Sequence, residues 1–341
     1  MSFWQKLPKP FFVMAPMADV TDAAFRALIA SRAAPDVFWT EFVSADGLYH
    51  TREIARMPDN ENPLMRDLLK SSAERPIVAQ IFSNKPEMIA YATRVVADLG
   101  FDGVDLNMGC PDRAIERQGS GAAMLKSPEV ARAVIRAAKG ASSLPVTVKT
   151  RVGYNRESLD EWLPVLLEEA PAAITLHLRT RKELSLVPAQ WELMKRAVAL
   201  RDSLNPDVLL IGNGDVTSVE QGKRLVDETG CDGVMIGRGM FGNPWVFEGL
   251  TRTPRSDLRS EFSRSDLGVR EHGLSEKLEA LVELAHNFEK LLPPKNFSIL
   301  KKHIKAFATG FDGAADLRAR LMLADSATEL EGIVAEYVDG A

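Results

Sequence analysis

Asn107 and Cys110 close the stretch Asp102-Gly-Val-Asp-Leu-Asn-Met-Gly-Cys-Pro111, and together they suit work on a polar heterocycle. A carboxamide donates and accepts hydrogen bonds at once. A thiol with an ordinary pKa near ~8.5 is mostly protonated at neutral pH and has a proton to give. The apolar run from Val104 to Leu106 reads as a short strand, and Gly109 with Pro111 as a tight turn. Both groups are therefore left at the strand's C-terminal mouth. A lone cysteine after a strand is otherwise a packing residue; what sets Cys110 apart is the company it keeps along the chain.

Two glycine-rich stretches, Gly212-Asn-Gly-Asp215 and Gly237-Arg-Gly239, let backbone N–H groups approach an anion, and Arg238 can pair with a phosphate. Each alone would serve as a tight turn; the two together with an arginine favour a phosphorylated ligand. Lys149, in Val-Thr-Val-Lys-Thr-Arg, is either a solvated rim charge or a counter-charge to a cofactor ring. Gln80 suits hydrogen bonding to a ring edge, and His177 reads equally as a core histidine or a ligand. No two carboxylates among these residues stand at metal-ligand spacing, and no serine nucleophile elbow appears, so neither a metal site nor a two-carboxylate mechanism is expected.

The elements that must position these groups are eight short β-rich runs: Phe11–Ala15, Val37–Phe42, Ile77–Phe82, Gly103–Asn107, Val146–Thr150, Ala173–His177, Val208–Gly212 and Gly233–Gly237. Helical periodicity fills the intervals, as over Pro86–Leu99, Pro128–Lys139, Leu159–Glu169 and Val216–Thr229, with Pro86 and Pro128 where a first helical turn tolerates proline. Near-continuous apolar strands alternating with helices predict a parallel sheet. Eight such units predict an α/β fold, a closed (β/α)8 TIM barrel, whose C-terminal strand ends gather the polar residues on one face. After residue 250 the chain turns polar and charge-rich, predicting a linker or exposed loop over 251–275. From 276 to 341 a small all-helical domain is expected, with Leu278, Leu281, Ala285, Phe288 and Leu292 on one face.

The 341 residues, 45% apolar and 26% charged, are ordinary for a soluble globular protein with ample core. Two cysteines suggest no disulfide framework, and no run approaches a membrane span or signal peptide, so a soluble cytoplasmic protein is expected. The net charge is −5, yet Lys290 to Arg320 carries seven Lys/Arg against two acids, a local excess of +5. Such a run is usually a solvated helix face, but phosphates would use it.

Ala15-Pro-Met17, Gln80-Ile-Phe82, Asn107-Met-Gly-Cys-Pro111, Lys149-Thr-Arg151, His177-Leu-Arg-Thr180, Gly212-Asn-Gly-Asp215 and Ile236-Gly-Arg-Gly239 stand in order. The series resembles the tRNA-dihydrouridine synthases, flavoenzymes that reduce uridine in tRNA, with Asn-x-Gly-Cys-Pro the most family-specific motif. The resemblance implies FMN bound by Pro16, Met17, Ala18, Gln80, Lys149, His177, Asn213, Gly214, Asp215, Gly237 and Arg238 in the barrel, residues 1–250. It implies Cys110 as general acid, NADPH as transient reductant, and a tRNA-binding role for the helical domain. Asn107, Arg151 and Arg179 are expected to face the substrate, and Lys301 and Lys302 the RNA, in a protein expected to be a monomer. Two stretches depart from the family pattern. Ala306 and Phe307 replace an aromatic pair after Lys301-Lys-His303, and Glu183 and Ser185 stand where many members have Gln and an aromatic residue. Two other readings remain at this point. One is an FMN barrel acting on a free pyrimidine, like dihydroorotate dehydrogenase, whose Asn-x-Ser-x-Pro-Asn pattern differs from Asn107–Asp112. The other is an RNA-binding protein with incidental reductase activity.

Overall fold

The computed structural model describes residues 2–250, 272–293 and 295–339. Eight strands form: β1 (Phe11–Met14), β2 (Phe38–Ser44), β3 (Ile77–Phe82), β4 (Gly103–Met108), β5 (Val146–Arg151), β6 (Ala173–His177), β7 (Leu209–Asn213) and β8 (Gly233–Ile236). All pair in parallel in the order β1-β8-β7-β6-β5-β4-β3-β2. The ring closes just ahead of β2, where Val13 bridges Val37 and the Met14 N–H donates to the Val37 carbonyl at 3.1 Å. The (β/α)8 barrel expected from the sequence is therefore present. The second strand runs two residues further than its apolar run, because Val43 and Ser44 pair with Ile81 and Phe82. The seventh is shifted by one residue, because Asn213 pairs with both His177 and Met235.

The period of two along each strand decides what faces the barrel axis. Phe11, Val13, Trp39, Val78, Ala173, Leu209, Ile211 and Met235 pack together inside. Their neighbours Phe12, Met14, Val104, Leu106, Val148, Ile174 and Leu210 point outward into the helical layer. The 3-10 turn Phe3–Lys6 sends Trp4 onto this inner cluster, 5.8 Å from the Phe11 ring and 5.6 Å from Trp39. The same alternation carries the polar inward positions Asp105, Asn107, Lys149, His177 and Asn213 to the opposite, C-terminal end.

Among the described residues, four α-helices follow the barrel: Leu274–Leu291, Lys301–Phe307, Ala314–Leu321 and Ala327–Asp339. Of the linker expected over 251–275, residues 251–271 lie outside the described residues, and Leu274 and Ser275 already belong to the first of these helices. That helix buries the predicted face, Leu278, Leu281, Ala285, Phe288 and Leu292. It packs on one side against Ala23–Arg32 of the barrel and on the other against Ala327–Asp339. Each such leucine or phenylalanine contributes about 1.5–3 kcal/mol by leaving water. The tail thus shares one continuous core with the barrel's outer face. Among the described residues no helix is long and apolar enough to cross a membrane.

Candidate active site

A cavity of about 570 Å³ opens at the C-terminal end of the barrel, within the size range of small-molecule and cofactor sites. Its floor is a chain of directional hydrogen bonds that begins at a residue the sequence motifs passed over. Asp105, wholly buried on β4, accepts from the Thr147 hydroxyl at 2.5 Å and from Gln80 Nε2 at 2.6 Å. The Gln80 Oε1 then accepts from Asn107 Nδ2 at 3.0 Å. The Asn107 Oδ1 in turn takes the backbone N–H groups of Gly109 at 3.1 Å and Cys110 at 2.9 Å. Every donor points toward the carboxylate, so one buried acid fixes which way both carboxamides face. Each bond polarises the next.

The chain ends on the turn that carries the Cys110 thiol. The turn is clamped from its other side as well. The Cys110 carbonyl accepts from the Ala122 N–H at 2.9 Å, and Gly121 approaches so closely that a Cβ there would lie 2.7 Å from that oxygen. With φ at +61°, this position requires glycine on both counts. Burial pushes the Cys110 thiol above its usual pKa, and Asp112 adds to the rise against the opposing pull of its own backbone N–H, Lys149 and Arg151. The group stays protonated at neutral pH, as a proton donor must.

The wall that continues from β5 round to β8 is cationic. Lys149 on β5 donates to Asn213 Oδ1 at 3.3 Å, while Asn213 Nδ2 donates to the Met235 carbonyl at 2.9 Å. Burial, reinforced by Arg151, lowers the Lys149 pKa to about 8. His177 is held well below its usual pKa, first by burial and then by Lys149, Arg151 and Arg179, so its ring is neutral. Arg179 Nη1 lies 3.1 Å from His177 Nε2. A guanidinium can only donate, so Nε2 accepts and the histidine carries its proton on Nδ1. Asp215 joins two arginines: its Oδ2 takes Arg179 Nη2 at 2.5 Å and its Oδ1 takes Arg238 Nη2 at 2.6 Å. Burial alone would raise the Asp215 pKa, but the Arg179 bond, the Ala189 N–H and Arg238 together hold it below the carboxylate range.

These surroundings fit an anionic, hydrogen-bond-accepting group. Arg238 remains 59% exposed beside the loop, and the N–H groups of Gly214 and Gly237 find no acceptor among the described residues. A sequence profile of the family described as "Dihydrouridine synthase (Dus)" matches residues 13–338. The chain belongs to the dihydrouridine synthase family. The "Probable tRNA-dihydrouridine synthase" of Staphylococcus aureus (strain COL) is 38% identical over 337 residues, which is 98% of this chain and 95% of the relative. The "Probable tRNA-dihydrouridine synthase 2" of Bacillus subtilis (strain 168) is 38% identical over 347 residues, 99% and 98% of the two chains. Among solved structures, histamine dehydrogenase from Rhizobium sp. 4-9 superposes with a TM-score of 0.51 at 17% identity, over 69% of this chain and 44% of that one. That likeness is one of fold.

Within this dihydrouridine synthase cavity stand Pro16, Met17, Gln80, Asn107, Cys110, Lys149, Arg151, His177, Arg179, Asn213, Gly214, Asp215, Gly237 and Arg238. Ala18 does not join them: it sits exposed in the loop after β1, and Lys301 and Lys302 lie in the tail, away from the lining. The two arginines expected to face the substrate have most of their donors committed elsewhere. Arg151 binds the carbonyls of Gly109, Thr180 and Leu184 at 2.8, 3.1 and 3.0 Å. Arg179, 2% exposed, binds the Val187 carbonyl at 2.6 Å as well as His177 and Asp215. Both therefore brace the loop after β6 over the mouth. Asp105 and Thr147 are the residues that motif reading missed. The alternation in Val-Asp-Leu-Asn, which puts Asp105 on the same face as Asn107, was the available signal.

The tail reaches this end of the dihydrouridine synthase barrel through charge and aromatic packing. Lys295 contacts Asp67 Oδ1 at 2.9 Å and Glu41 Oε2 at 3.4 Å, and Lys302 contacts Asp19 Oδ2 at 3.5 Å. His303 packs between Phe25 and Phe241, with ring centroids 4.6 and 5.6 Å away, and burial lowers its pKa to about 4. A Cβ at Gly242 would stand 2.5 Å from the Ala306 carbonyl, so the helix backbone itself seats on the loop after β8. The +5 excess of this segment is therefore smaller as free charge. Lys295 and Lys302 pair with the barrel, Arg320 pairs with Glu336, and Arg318 donates to the Ala308 carbonyl. Lys290, Lys301 and Lys305 keep no ion pair among the described residues.

Proposed function

We propose that this protein reduces the C5–C6 double bond of a uridine in tRNA, using bound FMN and NADPH, in the cytoplasm. The observation that carries the reading is the floor of the cavity, where a buried carboxylate orders two carboxamides and a protonated thiol at the mouth of a family barrel. The names of the relatives supply the substrate class.

When bound, FMN would supply a hydride for C6 of the uracil, with NADPH as its reductant. Lys149 would offset negative charge on the bound group, and Arg238 with the N–H groups of Gly214 and Gly237 would receive its phosphate. Cys110 gives the thiol proton to C5, and its thiolate regains a proton from solvent. Asn107 keeps one Nδ2 hydrogen for the uracil edge, since the other is held by Gln80 and its oxygen by the Cys110 turn. The uridine leaves its stack to enter the cavity, as bases do for enzymes that act on them. Residues 1–250 form the FMN domain in this reading, and 276–341 the RNA-binding domain of a monomer.

Mass spectrometry of tRNA incubated with the purified protein, NADPH and FMN tests the reading. The expected result is a gain of two hydrogens at one mapped uridine. A yellow protein that leaves every tRNA uridine unchanged overturns the substrate, and free pyrimidines are then tested in the same assay.

A further inference from the structure

We infer that Glu41 is a positioning residue for the cofactor wall: one carboxylate oxygen fixes the turn that follows Pro16 and Met17, while the other faces the helical tail. The inference rests on the flavin reading above and adds to it a group that does not itself line the cavity.

Strict alternation along β2 would send Glu41 to the same side as Trp39, which packs in the barrel's inner cluster. A β-bulge prevents this. Trp39 pairs with Val78 and Phe42 with Gln80, so Thr40 and Glu41 together oppose the single residue Ala79. The Thr40 hydroxyl closes the bulge, accepting the Gln80 N–H at 3.1 Å and donating to the Glu41 carbonyl at 2.7 Å. Phe42 then lines the cavity in place of Glu41. Glu41 stays buried, 4% exposed, with its carboxylate turned to the loop after β1 and to the tail.

Its Oε1 accepts the Asp19 N–H at 2.5 Å. Asp19 is the tip of a turn that closes on itself. The Met17 N–H donates to the Thr21 hydroxyl at 2.9 Å, and the N–H groups of Val20 and Thr21 donate to the Met17 carbonyl at 3.1 and 3.0 Å. With φ at +54° the tip is left-handed, a conformation that a residue with a side chain keeps only when its surroundings impose it. Glu41 supplies that constraint from the adjacent strand. Pro16 and Met17, which lead into the turn, are cavity wall. A Cβ at Gly237 would lie 3.7 Å from Met17 Sδ, so the turn also abuts the loop after β8 that carries Arg238. A shift of the Asp19 tip therefore moves the surface against which the flavin would rest.

The other oxygen, Oε2, lies 3.4 Å from Lys295, whose ammonium also reaches Asp67 at 2.9 Å. Three charged groups thus surround Glu41: Lys295 from the tail, Asp67 at the end of helix Pro63–Asp67, and Asp22, the cap of helix Ala23–Arg32. Burial raises the Glu41 carboxyl to about 7 against the pull of Lys295, and Asp67 and Asp22 add to the rise. A buried acid so disfavoured contributes little stability that a packed apolar residue could not. What an apolar residue could not supply is the acceptor for the Asp19 N–H. The two oxygens therefore have separable roles, the first resting on a lone pair and the second on charge.

Two replacements distinguish the lone pair from the charge. Glu41→Gln keeps an acceptor for the Asp19 N–H and loses the anion facing Lys295, whereas Glu41→Leu loses both. The holoenzymes are compared by FMN release on dilution, by the flavin absorption spectrum and by limited proteolysis of the tail. Glu41→Gln is expected to hold FMN within about threefold of wild type, while its tail is cut earlier, as in Lys295→Met. Glu41→Leu is expected to weaken FMN binding by about tenfold or more, the value of a hydrogen bond to a charged group, and to shift the flavin absorption bands. If Glu41→Leu does not fold, Glu41→Leu/Lys295→Met, which also removes the unpaired cation, is compared with Lys295→Met in the same way. A folded leucine variant with the FMN affinity and spectrum of its parent overturns the inference, whatever its loss of stability. Equal loss of FMN from Glu41→Gln and Glu41→Leu overturns it as well, because the acceptor then makes no difference. A wild type that holds no flavin overturns the flavin reading first, and this inference with it.

Discussion

At the floor of the cavity the Asp105 carboxylate, Gln80, Asn107 and the Cys110 turn are joined by bonds of 2.6 to 3.1 Å within and between neighbouring strands. In the tail, Lys295 reaches Asp67 and Glu41 from a separate part of the chain at 2.9 and 3.4 Å, and His303 is packed between two aromatic rings. The first arrangement is directional, and each partner fixes the orientation of the next. The second works through charge and shape, and it tolerates small shifts. Damage to the floor should therefore appear in the rate of chemistry. Damage to the tail should appear in docking and RNA affinity, with the barrel intact.

Cys110→Ala poses the sharpest version of this contrast. Loss of the positioned acid should lower uridine reduction by about 10²–10⁴-fold, while tRNA affinity stays at the wild-type level. Single-turnover reduction and filter binding on the same samples separate the two quantities, and a parallel fall in affinity would erase the distinction between the regions.

Next in size is Asp105, where two replacements diverge. Asp105→Leu leaves the Gln80 amide and the Thr147 hydroxyl without an acceptor in a buried site, at about 1–3 kcal/mol for each unsatisfied group, and frees both carboxamides to turn. The turnover rate should fall at least tenfold. Asp105→Asn keeps an acceptor for Gln80, and the Thr147 hydroxyl can rotate to accept from the new amide, so the rate should stay within a few-fold. Asp105→Asn also differs from the wild type in pH dependence. Burial raises the Asp105 pKa from 3.8 to about 6. The native state then holds a proton that the unfolded chain releases, so this group's contribution to stability falls as pH rises from about 4 to about 6. Asp105→Asn lacks that loss. It should gain on the wild type by about 2–3 kcal/mol across the window, as two pKa units imply, and keep the lead above pH 7. Urea unfolding at pH 4.5, 6 and 7.5 checks the sign, and identical pH slopes for both proteins would remove Asp105 from its place at the head of the chain.

Lys295→Met tests the tail. The buried Glu41, whose carboxyl is raised by burial to about 7 against the pull of Lys295, and Asp67 lose their shared cation. A cost of about 1–3 kcal/mol is expected, below that of a fully buried pair because Lys295 is 18% exposed. Limited proteolysis should cut the tail earlier than in wild type, while the bound flavin spectrum is unchanged. The smallest effect belongs to Lys301→Glu and Lys305→Glu, each of which should take about one unit from the salt slope of tRNA binding. Lys302→Glu should act through its contact with Asp19 as well, so a larger fall in thermal stability is expected for it than for its two neighbours.

Much of the cavity was legible along the chain because a parallel barrel converts local patterns into position. Once Asn107, Lys149, His177 and Asn213 are recognised as ends of apolar strands, closure brings them to one face. The exceptions are instructive. Arg179 and Asp215 look like ligands in sequence, yet they are largely bound to one another and to the loop after β6, because a motif lists side chains without saying which will meet first. Ala18 follows two lining residues but turns away, as the chain leaves the barrel wall for the Asp19 turn, where φ is +54°.

The sequence by itself determined the barrel, the amphipathic first tail helix and the identity of the thiol, since each rests on periodicity or on a contiguous motif. Only the tertiary structure decided that Asp105 heads the hydrogen-bond chain, that Trp4 seats on the barrel's inner cluster, and which of the tail's cations remain free. Those outcomes depend on partners tens or hundreds of residues away. Asp105 meets Thr147, Trp4 meets Trp39 and Lys295 meets Glu41 only when the ring closes and the tail docks. A hydrogen bond or ion pair is fixed by distances of a few ångströms in space, and nothing in the order of residues alone measures them.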